Sequence, residues 1–138
     1  MYFKGEIMQT TMQMLKTHPG TGQMDLEQLA GTITQLNICA QACTTCADAC
    51  IGEQEVQSLV SCIRINQNCA DVCTATGAML SRVTNARSDL LHSMLGACVK
   101  ACSLCADECE KHAAMHAHCK VCADVCRQCE KACREMSG

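Results

Sequence analysis

Residues 119–133 read CKVCADVCRQCEKAC, with cysteine at 119, 122, 126, 129 and 133. The steps are 3, 4, 3 and 4, which is the rhythm of one stripe along an α-helix. Three further runs share it. Cys39, Cys43, Cys46 and Cys50 step 4, 3, 4, and Cys98, Cys102, Cys105 and Cys109 repeat those steps. Cys62, Cys69 and Cys73 are sparser, with steps of 7 and 4. Each cluster therefore projects from one face of its own helix, and a seam of this kind must meet another.

Breakers divide the chain. His18-Pro19-Gly20-Thr21-Gly22 separates a short amphipathic segment (Ile7, Met8, Met12, Leu15) from the rest. Gly52 follows Cys50 as a helix C-cap, rhythm is lost over 81–85, Ser88 caps a new helix, and a break is placed within 112–118. The spacing predicts helices over roughly 25–51, 54–83, 87–112 and 116–135. Short connections make neighbours antiparallel, so the expected fold is all-α: an up-down-up-down four-helix bundle with a short extra N-terminal helix. Residues 1–21 form the N-terminal segment, whose first five residues read as an appended tail, and 22–138 form the bundle.

The order within the stripes adds a polarity. Leu29, Ile33 and Leu36 precede the first cysteine run, Leu91 and Leu95 precede the third, and Leu80 and Val83 follow the second. In an antiparallel bundle these aliphatic ends coincide and plug one pole of a thiol-lined tube. A Cys-Ala-Asp-x-Cys motif occurs once per helix, at 46–50, 69–73, 105–109 and 122–126. With both cysteines inward, Asp48, Asp71, Asp107 and Asp124 face water, and the alanines allow close helix approach.

Composition narrows the chemistry. The chain has 138 residues, 16 of them Cys, with one Phe, one Tyr and no Trp, and a net charge of −3. There is no basic field for nucleic acid, no apolar run near the ~20 residues of a membrane span, and no secretory pattern at the N-terminus. A disulfide scaffold would scatter its cysteines through loops, and thiols as plain core filler would pack less well than Leu or Val. Metal remains. Sixteen thiolates in four separate zinc sites would bury a charge of about −8 without an inward Lys or Arg. Iron–sulfur clusters want convergent loop cysteines. Cu(I) is soft and thiolate-seeking, and one Cu⁺ per bridging thiolate leaves the core neutral. The seven Cys-x-x-x-Cys pairs hold their Cβ atoms about 5–6 Å apart, suited to clasping such an ion between two sulfurs.

These Cys-x-x-x-Cys pairs and Cys-x-x-Cys-x-x-x-Cys runs on four helices resemble the bacterial copper storage proteins, over about residues 22–138. The resemblance implies a homotetramer of bundles, each holding many Cu(I) ions, and the missing export signal is similar to the cytosolic branch. The chain is thus expected to be a cytoplasmic, non-enzymatic copper store with no nucleic-acid or membrane partner. The expected ligands are all sixteen cysteines (39, 43, 46, 50, 62, 69, 73, 98, 102, 105, 109, 119, 122, 126, 129 and 133), with His112 and His118 at the mouth and Met115 and His116 supporting them. Asn66, in the seam between Cys62 and Cys69, reads as a register-setting residue. Two other functions stay open: a thiol–disulfide oxidoreductase working through Cys119 and Cys122 at the start of a helix, and a chaperone carrying a single copper ion.

Overall fold

A computed structural model describes residues 4–84 and 88–137, which are mostly helical and contain no strand. The elements are α1 (Lys4–Thr17), α2 (Leu26–Ile51), a 3₁₀ turn (Val56–Leu59), α3 (Val60–Leu80), α4 (Ser88–His112) and α5 (Ala117–Ser137). Residues 1–3, the expected helix start at residue 87, and the side chains of Ile7 and Ser88 lie outside the described residues. The antiparallel four-helix bundle is present: α2 packs on α3 and α5, and α4 on α3 and α5. Cross-helix pairs run in opposite directions along the chain. Cys39 meets Cys126 while Cys46 meets Cys119, and Cys62 meets Cys109 while Cys73 meets Cys98.

Local signals set most boundaries. Asp25 caps α2 by accepting from the Gln28 N–H at 3.1 Å, which satisfies one of the orphan donors of the first turn. Gly52 closes α2, its N–H reaching the carbonyls of Asp48 and Ala49. α3 departs from expectation: a helix from 54 to 83 is replaced by one from 60 to 80, after a 3₁₀ turn. Ser58 closes that turn by donating from both its N–H and its Oγ to the Glu55 carbonyl, and this brings Leu59 fully inside. At the other end the Ser81 hydroxyl and N–H both bond to the Gly77 carbonyl, so the last turn is capped by its own side chain. α1 lies against α2, with Leu15 buried and Met12 packed beside it.

The core has two halves. Leu29, Ile33, Leu36, Leu80, Val83 and Leu95 are buried at one pole, with Leu91 half-buried against them. All sixteen cysteines fill the remainder, none more than 2% exposed. The motif alanines Ala47, Ala70, Ala106 and Ala123 are buried, whereas Asp48, Asp71, Asp107 and Asp124 are exposed. Residues 89–112 of α4 contain an 18-residue stretch with a mean hydropathy of 1.2, long and apolar enough by composition to cross a membrane. That exceeds the expectation from sequence; 28% of that stretch is buried, including Leu95, Cys98, Cys102 and Cys105, while Leu90 and Leu104 are exposed. Outside, Arg127 of α5 grips Asp107 and Glu110 of α4 and Glu130 on its own helix.

Candidate metal centre

Sequence places the cysteines on stripes, and the bundle turns four stripes into one column. Beside the aliphatic plug, Cys98 and Cys133 bring their sulfurs to 3.4 Å. Next come Cys73, Cys98, Cys102 and Cys129, whose sulfurs all lie within 4.8 Å of one another, then Cys39, Cys69, Cys73 and Cys102, and then Cys39, Cys43, Cys69 and Cys126. Cys43, Cys105, Cys122 and Cys126 follow toward the opposite pole. Successive groups share members, so a thiolate in one can bridge to the next.

The distances refine the expected coordination. The intrahelical pairs Cys39/Cys43, Cys98/Cys102 and Cys122/Cys126 sit at 4.0 Å, and Cys69/Cys73 at 3.9 Å. Cross-helix neighbours are as close: Cys43 to Cys126 is 3.6 Å and Cys73 to Cys102 is 3.7 Å. With metal–sulfur bonds near 2.3 Å, a linear pair spans about 4.6 Å and a trigonal edge about 4.0 Å. The metal-free spacing therefore matches three sulfurs around an ion, and a linear clasp needs a slight opening. No helix holds a privileged pair.

Asn66 is fully buried in this column. Its Nδ2 donates to the Cys62 carbonyl at 2.9 Å and faces the Cys62 sulfur at 3.3 Å, while its Oδ1 accepts from Cys122 at 3.0 Å and Cys105 at 3.1 Å. The amide thus ties α3, α4 and α5 together from inside. Register is one result of that; direct contact with the thiols is another, which the sequence did not reveal.

The far pole is where α2 passes to α3 and α4 to α5. Burial pushes the Cys50 thiol up to about 12 and the Cys119 thiol up to about 11, since a thiolate out of water is costly without a counter-ion. An arriving cation must therefore displace protons. His118 joins this end: with Cys46, Cys50 and Cys119 it forms a set whose ligand atoms lie within 4.8 Å of one another. Its Nδ1 is 3.4 Å from Cys46 and 3.6 Å from Cys119. The other expected mouth residues are placed differently. His112 turns its Nε2 to Glu108 at 3.1 Å. Met115 stands in solvent, 79% exposed. His116 is buried and held by Glu53 and Glu55.

Those glutamates went unnoticed in the sequence. Glu53 also bonds His118, Oε2 to Nε2 at 2.8 Å, and that hydrogen bond, with the nearby imidazole charges, holds its carboxyl below the usual range. The available signal was two acidic residues, 53 and 55, in one loop at the pole where three histidines occupy the other.

Comparison with known proteins agrees with this architecture. The family model described as copper storage protein matches residues 25–138. The copper storage protein Ccsp of Streptomyces lividans, loaded with 10 copper equivalents, is 48% identical and superposes with a TM-score of 0.90, over 92% of this chain and 97% of that one. A cytosolic copper storage protein from Streptomyces lividans with five coppers is 51% identical with a TM-score of 0.79, over 80% of this chain and 92% of that one. The uncharacterized cysteine-rich protein YhjQ of Bacillus subtilis strain 168 is 33% identical over 100 residues, 72% of this chain and 87% of that one.

Proposed function

The chain belongs to the copper storage protein family, and on that premise we propose that it takes up many Cu(I) ions, on the order of one per cysteine, and buffers copper in the cytosol. The observation that carries this is the column of sixteen buried thiols, in which fifteen sulfurs lie 3.4–4.0 Å from another sulfur and that of Cys50 lies within 4.8 Å of those of Cys46 and Cys119. Each Cu⁺ replaces a thiol proton, so filling leaves the interior uncharged and avoids the burial cost that a charged cluster would carry.

All sixteen cysteines serve as cargo ligands in this reading. His118 passes ions from the mouth to Cys46 and Cys119, and His112 with its neighbours Met115 and His116 lines the approach. Imidazole and thioether hold Cu(I) less tightly than thiolate does, which suits a passage. Residues 22–138 form the store and 1–21 a separate N-terminal segment, whose helix α1 packs against α2. The unit works as a homotetramer, without nucleic acid, membrane or catalysis. A thiol–disulfide cycle through Cys119 and Cys122 is disfavoured by their burial, at most 1% exposed, since that chemistry needs an accessible thiolate.

Anaerobic titration of the reduced protein with Cu(I), against a chromophoric chelator, tests the reading. Uptake on the order of sixteen ions per chain supports storage; saturation at one or two would point to a chaperone and overturn it.

A further inference from the structure

Glu53 Oε2 receives two imidazoles at once. His116 Nδ1 lies 3.0 Å from it and His118 Nε2 lies 2.8 Å from it. The two rings are stacked, with centroids 5.5 Å apart and planes inclined by 26°. The second nitrogen of His116, Nε2, is 2.9 Å from Glu55 Oε1. His116 is 8% exposed, so this is a held side chain and not a loose surface ring.

Two imidazole nitrogens that both lie within 3.0 Å of one carboxylate oxygen form a donor set distinct from the thiol column. Such a set suits borderline divalent ions, whereas thiolate selects soft monovalent copper. The outer carboxylate matters equally. A metal-bound histidine characteristically gives its other N–H to a carboxylate, which fixes the ring and raises its basicity. Glu55 stands in that position behind His116. Bonds of about 2.0–2.2 Å in a tetrahedral site require ligand atoms about 3.3–3.6 Å apart, so the rings must draw back from Glu53 by roughly half an ångström from the observed 2.8–3.0 Å.

We propose that Glu53, His116 and His118, with Glu55 behind His116, form a divalent-cation site of the zinc class at the mouth of the thiol column. The ion takes the place of the ring protons that point at Glu53. It ties the loop carrying Glu53 and Glu55 to the turn carrying His116, and so bridges the α2–α3 and α4–α5 connections across the opening. His118 then faces two ways, Nε2 to the divalent ion and Nδ1 to Cys46 and Cys119. A divalent ion and arriving Cu(I) therefore compete for this ring, and occupancy of the outer site slows copper exchange.

The test uses the full chain and Co(II) as the spectroscopic probe. Cu(I) uptake is measured first, and it reports on the storage reading alone. The protein is then loaded to just short of the amount it holds, so that thiols are occupied, and Co(II) is added. The expected result is about one Co(II) per chain, with weak visible bands of nitrogen and oxygen ligation, no intense sulfur-to-metal absorption, and displacement by Zn(II). Glu53→Gln should abolish it and Glu55→Gln weaken it by about 10- to 100-fold, while Asp48→Asn, on the outer face, leaves it intact. Helical circular dichroism and a denaturant midpoint close to that of the unsubstituted chain certify that the Glu53 and Glu55 variants are folded. Absence of Co(II) binding, sulfur bands, or binding that survives Glu53→Gln would overturn the proposal.

Discussion

The Nδ1 atom of His118 lies 3.4 Å from the sulfur of Cys46, across the contact between α5 and α2. It is the point at which the imidazoles of the mouth touch the thiols of the column. The ring is fixed from behind by Glu53, so Nδ1 is aimed inward before any ion arrives.

Replacing His118 and His112 together with Ala should slow Cu(I) uptake and release while lowering total capacity by no more than about two ions. Stopped-flow mixing with a Cu(I)–chelator complex gives the rates, and the end-point gives the capacity. Unaltered rates would place the passage elsewhere. Loss of half the capacity would mean that these rings organise the column.

The metal-free, reduced protein should already be helical, because the aliphatic plug and the protonated thiols form a core without copper, unlike a zinc finger. Leu36→Ala, at a fully buried position of the plug, should cost about 2–5 kcal/mol. Urea unfolding followed by circular dichroism measures both. A coil spectrum before copper is added would contradict the first part.

Removing the amide of Asn66 withdraws a donor from the Cys62 carbonyl and an acceptor from Cys105 and Cys122. Asn66→Ala should destabilise the metal-free bundle by about 1–3 kcal/mol. The deficit should shrink in the copper-loaded protein, where sulfur bonds to metal and not to the amide. Denaturant midpoints compared before and after loading decide it.

On the outer surface the pH dependence has a defined sign. Glu130 is held below the usual carboxylate range by the hydrogen bond from Arg134, then by Arg127. Its folded pKa is thus lower than its unfolded one, so the stabilisation is present above the unfolded value and is lost as pH falls through the folded one. Arg127→Ala should cost about 0–1 kcal/mol at neutral pH and less in high salt, as for other exposed ion pairs. It should also flatten the acid limb of the stability profile, which chemical denaturation between neutral and strongly acid pH would follow.

What could be read from the sequence followed from periodicity. The 3,4 spacing of cysteine has one physical meaning on a helix, and the position of Leu29–Leu36, Leu80 and Leu95 relative to those runs fixes which pole is aliphatic. Exposure of the four motif aspartates follows from the same geometry. The unread part lies where period gives no information. The 3₁₀ turn at Val56–Leu59 is held by Ser58 and Glu55, and nothing in its apolar pattern separates it from helix. Glu53 and His116 are far apart in the chain and meet only because two loops fold over one end. Equal sulfur distances within and between helices are a property of packed rotamers, which spacing along one helix cannot supply.

A column stopped at one end imposes an order in time. Leu36, Leu80 and Leu95 close the pole beside Cys98 and Cys133, so in the proposed store that pair is the furthest from the opening. Ions that leave by the mouth are drawn from the top of a stack, and the deepest ion is the last a chelator can reach. Withdrawal then obeys a queue: the first ions leave freely, and the ion beside the plug waits on every bridge above it.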